Sequence, residues 1–166
     1  MNIQFIDSPI GCLQLLATDS ALCGLNWAHQ HVTNENNNGA SDIHCRSRIL
    51  DQASEELRLY FAGQLKTFAV PLAPEGTLFQ LQVWSVLETI DWGKTCTYKT
   101  VADRLDKPSA ARAVGTAIGK NPLPIFIPCH RVVGSDGSLT GFSGGLRTKQ
   151  ALLALENNPS TFKLAN

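Results

Sequence analysis

At residues 71–76 the chain reads Pro-Leu-Ala-Pro-Glu-Gly, and its hydrophobic period changes there. Two prolines and a glycine so close together interrupt both helix and sheet, so the segment reads as a linker. Before it, apolar residues alternate over short runs, and residues 3–6, 12–17 and 22–27 read as strands. Asp7-Ser8-Pro9-Ile10-Gly11 and Asp19-Ser20 supply turn chemistry between them. Residues 29–42, with Asn34, Asn36, Asn37, Asn38 and Gly39, have no apolar period and read as a loop. Ile49, Leu50, Ala53, Leu57, Tyr60 and Phe61 then recur at helical spacing, with Gly63 placed as a stop. Residues 67–70 read as a returning strand ended by Pro71. Residues 1–76 are therefore expected to form a small α+β unit with its linker.

After the linker the period becomes helical. Thr77 and Gln80 form a capping-box pattern before the apolar side Phe79, Val83, Trp84, Val86, Leu87 and Ile90. Strand signals then fade, so residues 77–166 are expected to form a mostly helical second unit. At 43% hydrophobic and 17% charged, the chain has the composition of a globular protein, not a disordered one. No apolar run approaches the roughly 20 residues of a membrane helix. The N-terminus lacks the basic and apolar regions of a signal peptide. The five cysteines are widely spaced with no CxxC pair, which predicts thiols in a reducing, cytoplasmic compartment.

The formal net charge is zero, but the charges are segregated. Residues 1–92 hold 4 basic and 10 acidic side chains; residues 93–150 hold 9 basic and 3 acidic. The basic segment is a candidate for an anionic partner, although chance segregation also gives two solvated faces.

Within that segment, residues 100–105 read as a short helix and Asp106-Lys107-Pro108 as a turn. Ser109 is placed to cap a second helix over 110–119. Ala110, Val114, Ala117 and Ile118 share its inner face. Arg112, Gly115, Thr116 and Gly119 leave its outer face nearly bare. Each helical glycine costs roughly 1 kcal/mol against alanine. Close approach to a phosphate backbone and close packing on another helix both account for that composition.

Residues 122–128, Pro-Leu-Pro-Ile-Phe-Ile-Pro, form a rigid apolar lead to Cys129-His130-Arg131. Cys12, Cys23, Cys45 and Cys96 read as small buried hydrophobes. Cys129 differs, because titratable and polar groups surround it. A neighbouring imidazole activates a thiol, and a carboxylate orients the imidazole. Glu156, on a helix expected over 146–156, is either that carboxylate or a solvated terminal residue.

Pro128-Cys129-His130-Arg131-Val132 resembles the signature of the O6-alkylguanine-DNA alkyltransferases, also called methylated-DNA–protein-cysteine methyltransferases. The resemblance extends to Thr77-Leu78-Phe79-Gln80-Leu81-Gln82-Val83-Trp84, Ala111-Arg112-Ala113-Val114-Gly115, Asn121-Pro122-Leu123-Pro124 and residues 141–146, with a weaker match at residues 7–11. The short length is similar to the bacterial constitutive form, without an added regulatory domain.

The resemblance implies an N-terminal ribonuclease-H-like α+β domain, then a helical domain with a winged helix-turn-helix. It implies a monomer that needs no cofactor and binds double-stranded DNA containing O6-alkylguanine. The damaged base is rotated out and its alkyl group passes once to a cysteine, with O4-alkylthymine as a second candidate substrate. By the same resemblance Cys129 is the acceptor, His130 takes the thiol proton through water, Glu156 orients His130, and Asn121 holds the loop. Arg112 enters the duplex, within a DNA face that includes Ala111, Gly115 and Thr116. Tyr98 rotates the 3′ phosphate and contacts the base. The Ser143 N–H meets O6, and the carbonyls of Cys129 and Val132 receive the exocyclic amine.

Three features depart from the family pattern. Phe142 replaces a common tyrosine and Gly119 an arginine of some members. Cys12, Cys23, His29 and His31 do not reproduce the zinc spacing of some relatives, so no metal is expected. Two other classes share parts of the pattern. A non-reacting lesion binder lacks the nucleophile, and a Cys–His hydrolase leaves Arg112 and the basic segment unexplained.

Overall fold

The computed structural model describes residues 1–28 and 47–161. Strands β1 (Asn2–Ser8), β2 (Gly11–Ala17) and β3 (Leu22–Trp27) form an antiparallel sheet in the order β1-β2-β3. In β2, Leu13, Leu15 and Ala17 face inward at the two-residue period and are fully buried. Helix α1 (Arg48–Phe61) covers that face with Leu50, Ala53, Leu57 and Tyr60. The loop expected over residues 29–42 lies outside the described residues.

Helix α1 ends in a Schellman motif. Gly63 N–H donates to Tyr60 O and Gln64 N–H to Leu59 O, both at 2.9 Å. Gly63 has φ +70°, and a Cβ there would lie 2.5 Å from Pro159 Cβ, so the stop requires glycine twice over. This fixed end sets the position of Tyr60.

The returning strand expected at residues 67–70 does not form. The Glu56 carboxylate takes the Ala69 and Val70 N–H groups at 2.9 and 3.1 Å, so those amides leave no ladder to build. Pairing starts only after Pro71. Leu22 N–H donates to Pro71 O and Ala73 N–H to Leu22 O, making a bridge between Leu22 and Leu72.

Helix α2 (Leu78–Glu88) begins with the expected Thr77–Gln80 capping box. Helix α3 (Tyr98–Arg104) starts two residues earlier than expected, because Thr97 Oγ1 accepts from Thr100 N–H. It ends in a second Schellman motif, with Asp106 at φ 56° in the left-handed region that aspartate tolerates. Helix α4 (Ala111–Gly119) also departs from expectation. Its N-cap is Ala110, not Ser109, and no side chain caps it. Trp84 Nε1 donates to Ala117 O at 2.9 Å and pins α2 to α4.

A parallel pair of two-residue strands, β4 (Cys96–Thr97) and β5 (Val132–Val133), was not legible from the sequence. It ties the start of α3 to the end of the cysteine turn. Helix α5 (Leu146–Asn157) closes this part of the molecule. One hydrophobic core runs from Leu13 and Leu57 through Val83 and Val114 to Ile127 and Leu152, across both sides of the linker. Each such buried leucine or valine stabilises the fold by roughly 1.5–3 kcal/mol. Among the described residues, no helix is long and apolar enough to cross a membrane.

Candidate active site

The proline-rich segment aims the cysteine. Ile127 N–H donates to Leu123 O, and Cys129 N–H reaches back to Ile127 O at 2.7 Å across Pro128. Pro128 has φ −78° and ψ 63°, an inverse γ-turn that suits the fixed proline ring. Buried Ile125 has φ 77°, rare for a β-branched residue. Asn121 holds this bend from inside. Its Nδ2 donates to Ile127 O at 2.9 Å and its Oδ1 accepts from Leu123 N–H at 3.0 Å.

Cys129-His130-Arg131 forms one turn of 3-10 helix, and all three residues are buried. The adjacent His130 ring does not face solvent: its Nε2 lies 2.7 Å from Glu156 Oε1. Arg131 clamps the same carboxylate with two hydrogen bonds, Nε to Oε2 and Nη2 to Oε1, both 2.9 Å. Gly93 N–H adds a contact to Oε2 at 3.2 Å. Tyr60, from α1, donates its hydroxyl to Oε1 at 2.8 Å. Glu156 is therefore a buried hub, not a solvated helix end.

The protonation states follow from this wiring. Burial penalises the Glu156 charge, but the His130 and Arg131 donors outweigh it and bring its pKa down to about 2. An ionised carboxylate only accepts, so the neutral His130 carries its proton on Nε2. Burial lowers the His130 pKa despite Glu156, which keeps the ring neutral at pH 7. Nδ1 is then the free base, buried and without a protein partner among the described residues. Burial also pushes the Cys129 thiol up to about 11, although Asn121 and Lys149 pull it down. At pH 7 about one thiol in 10,000 is ionised. The resting pair is thiol and imidazole, not thiolate and imidazolium.

Lys149 is fully buried on α5, with Nζ donating to Val132 O at 2.6 Å and to Thr140 O at 2.8 Å. It thereby ties the cysteine turn to the loop over residues 140–145. Tyr98, at the start of α3, reaches the same loop through Thr140 Oγ1 at 2.9 Å. Ser143 is exposed on that loop. Phe142 meets Trp27 of β3 edge to face at 5.5 Å, and Gly144 leaves no room for a Cβ against the indole.

The outer face of α4 lies apart from this network. Arg112, Thr116 and Gly119 are exposed, Ala111 and Gly115 half-buried. A Cβ on Gly115 would sit 3.7 Å from the Tyr98 ring; one on Gly119 would meet open space. The Arg112 guanidinium has no partner among the described residues. Of the nine basic residues in 93–150, Arg131 and Lys149 are buried, leaving seven exposed beside three exposed acids.

Sequence reasoning missed Tyr60, Lys149 and Trp27. Tyr60 sat in an apolar helical stripe and read as core. Lys149 offered a signal: it occupies the stripe shared with Leu152 and Leu155. Cys12, Cys23, Cys96 and Cys129 are free thiols. No metal-ligating cluster occurs among the described residues, and His29 and His31 lie outside them.

Residues 78–158 match the family model for the 6-O-methylguanine DNA methyltransferase DNA-binding domain, and residues 1–74 match that for its ribonuclease-like domain. The chain is 43% identical to the methylated-DNA–protein-cysteine methyltransferase of Mycolicibacterium paratuberculosis, over 99% of this chain and 97% of that one. It is similar to the Mycobacterium tuberculosis O6-methylguanine methyltransferase structure, with TM-score 0.82, 42% identity and coverage of 98% and 96%. The structure of M. tuberculosis OGT in complex with DNA gives TM-score 0.81 at 42% identity, covering 95% of this chain and 94% of that one. The chain belongs to the methylated-DNA–protein-cysteine methyltransferase family.

Proposed function

We propose that this protein repairs double-stranded DNA by moving the alkyl group of O6-alkylguanine to Cys129 Sγ, once per molecule. The carrying observation is a buried thiol whose neighbour in the chain is a neutral imidazole that an ionised carboxylate holds in one tautomer.

Cys129 Sγ attacks the alkyl carbon as the carbon–O6 bond breaks, and its electron pair stays with the guanine. The thiol proton passes to His130 Nδ1, directly or through one water. Glu156 stabilises the resulting imidazolium without taking its proton, since its pKa lies too low. The thioether does not reverse, so the protein does not turn over.

The remaining residues serve delivery. Arg112 on the bare face of α4 fills the stack left by the flipped base and offsets part of its unpairing cost, a few kcal/mol. Ala111, Gly115 and Thr116 let that helix lie close to the duplex, and its uncapped first turn suits a phosphate. Tyr98 exchanges Thr140 for the DNA, where its phenol donates to the departing base. Ser143 N–H meets O6. The Cys129 and Val132 carbonyls receive the exocyclic amine; Val132 O already binds Lys149, and a carbonyl has a second lone pair. No step calls on a cofactor or metal. Free thiols fit a reducing cytoplasm, and we assign the working unit as a monomer.

Titrating the protein with duplex containing one O6-methylguanine tests this reading. Methyl transfer should plateau at one per protein. Continued restoration of unmodified guanine in the duplex beyond that ratio would show a turning-over enzyme and refute it.

A further inference from the structure

We infer that Tyr60, from the N-terminal unit, is a positioning residue for alkyl transfer, whose hydroxyl limits how strongly Glu156 binds His130. The inference rests on the assignment of Cys129 as acceptor and His130 as base.

Three donors converge on Glu156 Oε1: Tyr60 OH at 2.8 Å, His130 Nε2 at 2.7 Å and Arg131 Nη2 at 2.9 Å. They share the electron density of one oxygen, so strengthening one weakens the others. Tyr60 donates its proton to Glu156 Oε1, while its oxygen lies at the outer limit of a hydrogen bond from His130 Nε2–H. Its ring is fully buried and packs against Phe61, Phe68 and Trp92 at centroid distances of 5.4, 5.3 and 5.1 Å. Phenylalanine would fill that space equally well. The hydroxyl has no solvent to meet; it faces Glu156, with His130 Nε2 at 3.5 Å. Burial and the facing carboxylate raise its pKa well above the usual value, so the phenol keeps its proton.

The direction of the effect follows. The charged groups acting on His130 are Glu156 and Lys149 from α5 and Arg131 from its own turn. The neutral Cys129 thiol belongs to the preceding residue of the turn, and Tyr60 faces the ring from α1. Of these, Glu156 alone stabilises the imidazolium. A protonated His130 cannot accept the thiol proton. By occupying Oε1, Tyr60 restrains the pull of Glu156 and keeps Nδ1 free at lower pH. The N-terminal unit thus tunes the reaction besides supporting the fold.

Two perturbations of opposite sign test this. Single-turnover methyl transfer from saturating O6-methylguanine duplex to Cys129 is measured against pH. The proteins are wild type, Tyr60→Phe, and a protein with 3-fluorotyrosine at position 60. Fluorine makes the phenol a stronger donor and leaves the hydroxyl in place. Tyr60→Phe should move the acid limb up by about half a pH unit, a roughly threefold loss on that limb. The rate at the plateau should stay within about twofold. The fluorinated protein should move the limb down. If Tyr60→Phe does not fold, as thermal unfolding would show, the fluorinated protein carries the test alone. Unmoved limbs, or limbs that move the same way, would overturn the inference and leave Tyr60 as core packing. Wild type that fails to methylate Cys129 would instead overturn the site assignment beneath it.

Discussion

The cysteine turn and the outer face of α4 belong to the same basic segment, yet they are built on opposite rules. At the turn, Cys129, His130 and Arg131 are buried, and Glu156 is saturated by Tyr60, His130, Arg131 and Gly93. On α4, among the described residues, Arg112 is exposed without a partner, Gly119 faces open space, and no side chain caps the first turn. One region completes its polar contacts within the protein except at His130 Nδ1, the base. The other leaves them for a partner. Chemistry that moves a proton from a thiol of pKa about 11 needs fixed geometry, whereas a surface that admits DNA has to keep its donors free. The two differ in what a substitution should damage.

The largest contrast should appear in stability. Glu156→Gln removes the charge opposite buried Arg131, and breaking a buried pair costs about 3–5 kcal/mol. Arg112→Ala should change stability by no more than about 0.5 kcal/mol. Denaturant unfolding of both variants checks this; equal losses would erase the distinction.

Acid should reproduce the same contrast. The Glu156 pKa is about 2 in the folded protein against 4.5 unfolded, so its contribution is complete above pH 4.5. It is lost as pH falls toward 2, by about 3 kcal/mol. His130 acts in the same direction, since its folded pKa lies below 6.5 and protonation favours the unfolded chain as pH falls. Glu156→Gln should flatten the lower part of that decline in unfolding measurements from pH 5 downward.

A smaller effect should isolate the DNA face. Arg112→Ala should slow repair of O6-methylguanine in duplex DNA by about tenfold, or about 1.4 kcal/mol, part of the few kcal/mol that base flipping costs. Reaction with the free base O6-benzylguanine should change less than about twofold. Equal losses on both substrates would place Arg112 in the chemistry and not in flipping.

The two regions were also unequally legible in the sequence. The sheet, α1 and α2 could be read because Leu13, Leu15, Leu57 and Val83 keep one period and Thr77 and Gln80 complete a cap. Cys129 stood out by its neighbours, and the bare face of α4 by its glycines. The failures have local causes. Residues 67–70 look like a strand, but their amides bind a carboxylate from α1. Ser109 looks like a cap, yet α4 starts beyond Ala110. Strands β4 and β5 have two residues each, too short for any period. Tyr60 and Lys149 occupy apolar stripes, where sequence alone does not distinguish a buried hydroxyl or ammonium from ordinary packing. Long-range polar contacts such as Tyr60 to Glu156, 96 residues apart, become visible only once the fold joins them.

On the proposed function, Cys129 alone of the five cysteines accepts the alkyl group. Peptide mass mapping after one exposure to duplex O6-methylguanine tests it most directly. A single methyl on the peptide containing Cys129, with Cys12, Cys23, Cys45 and Cys96 unmodified, is the predicted result. A methyl on any other cysteine, or none while the DNA is repaired, would contradict it.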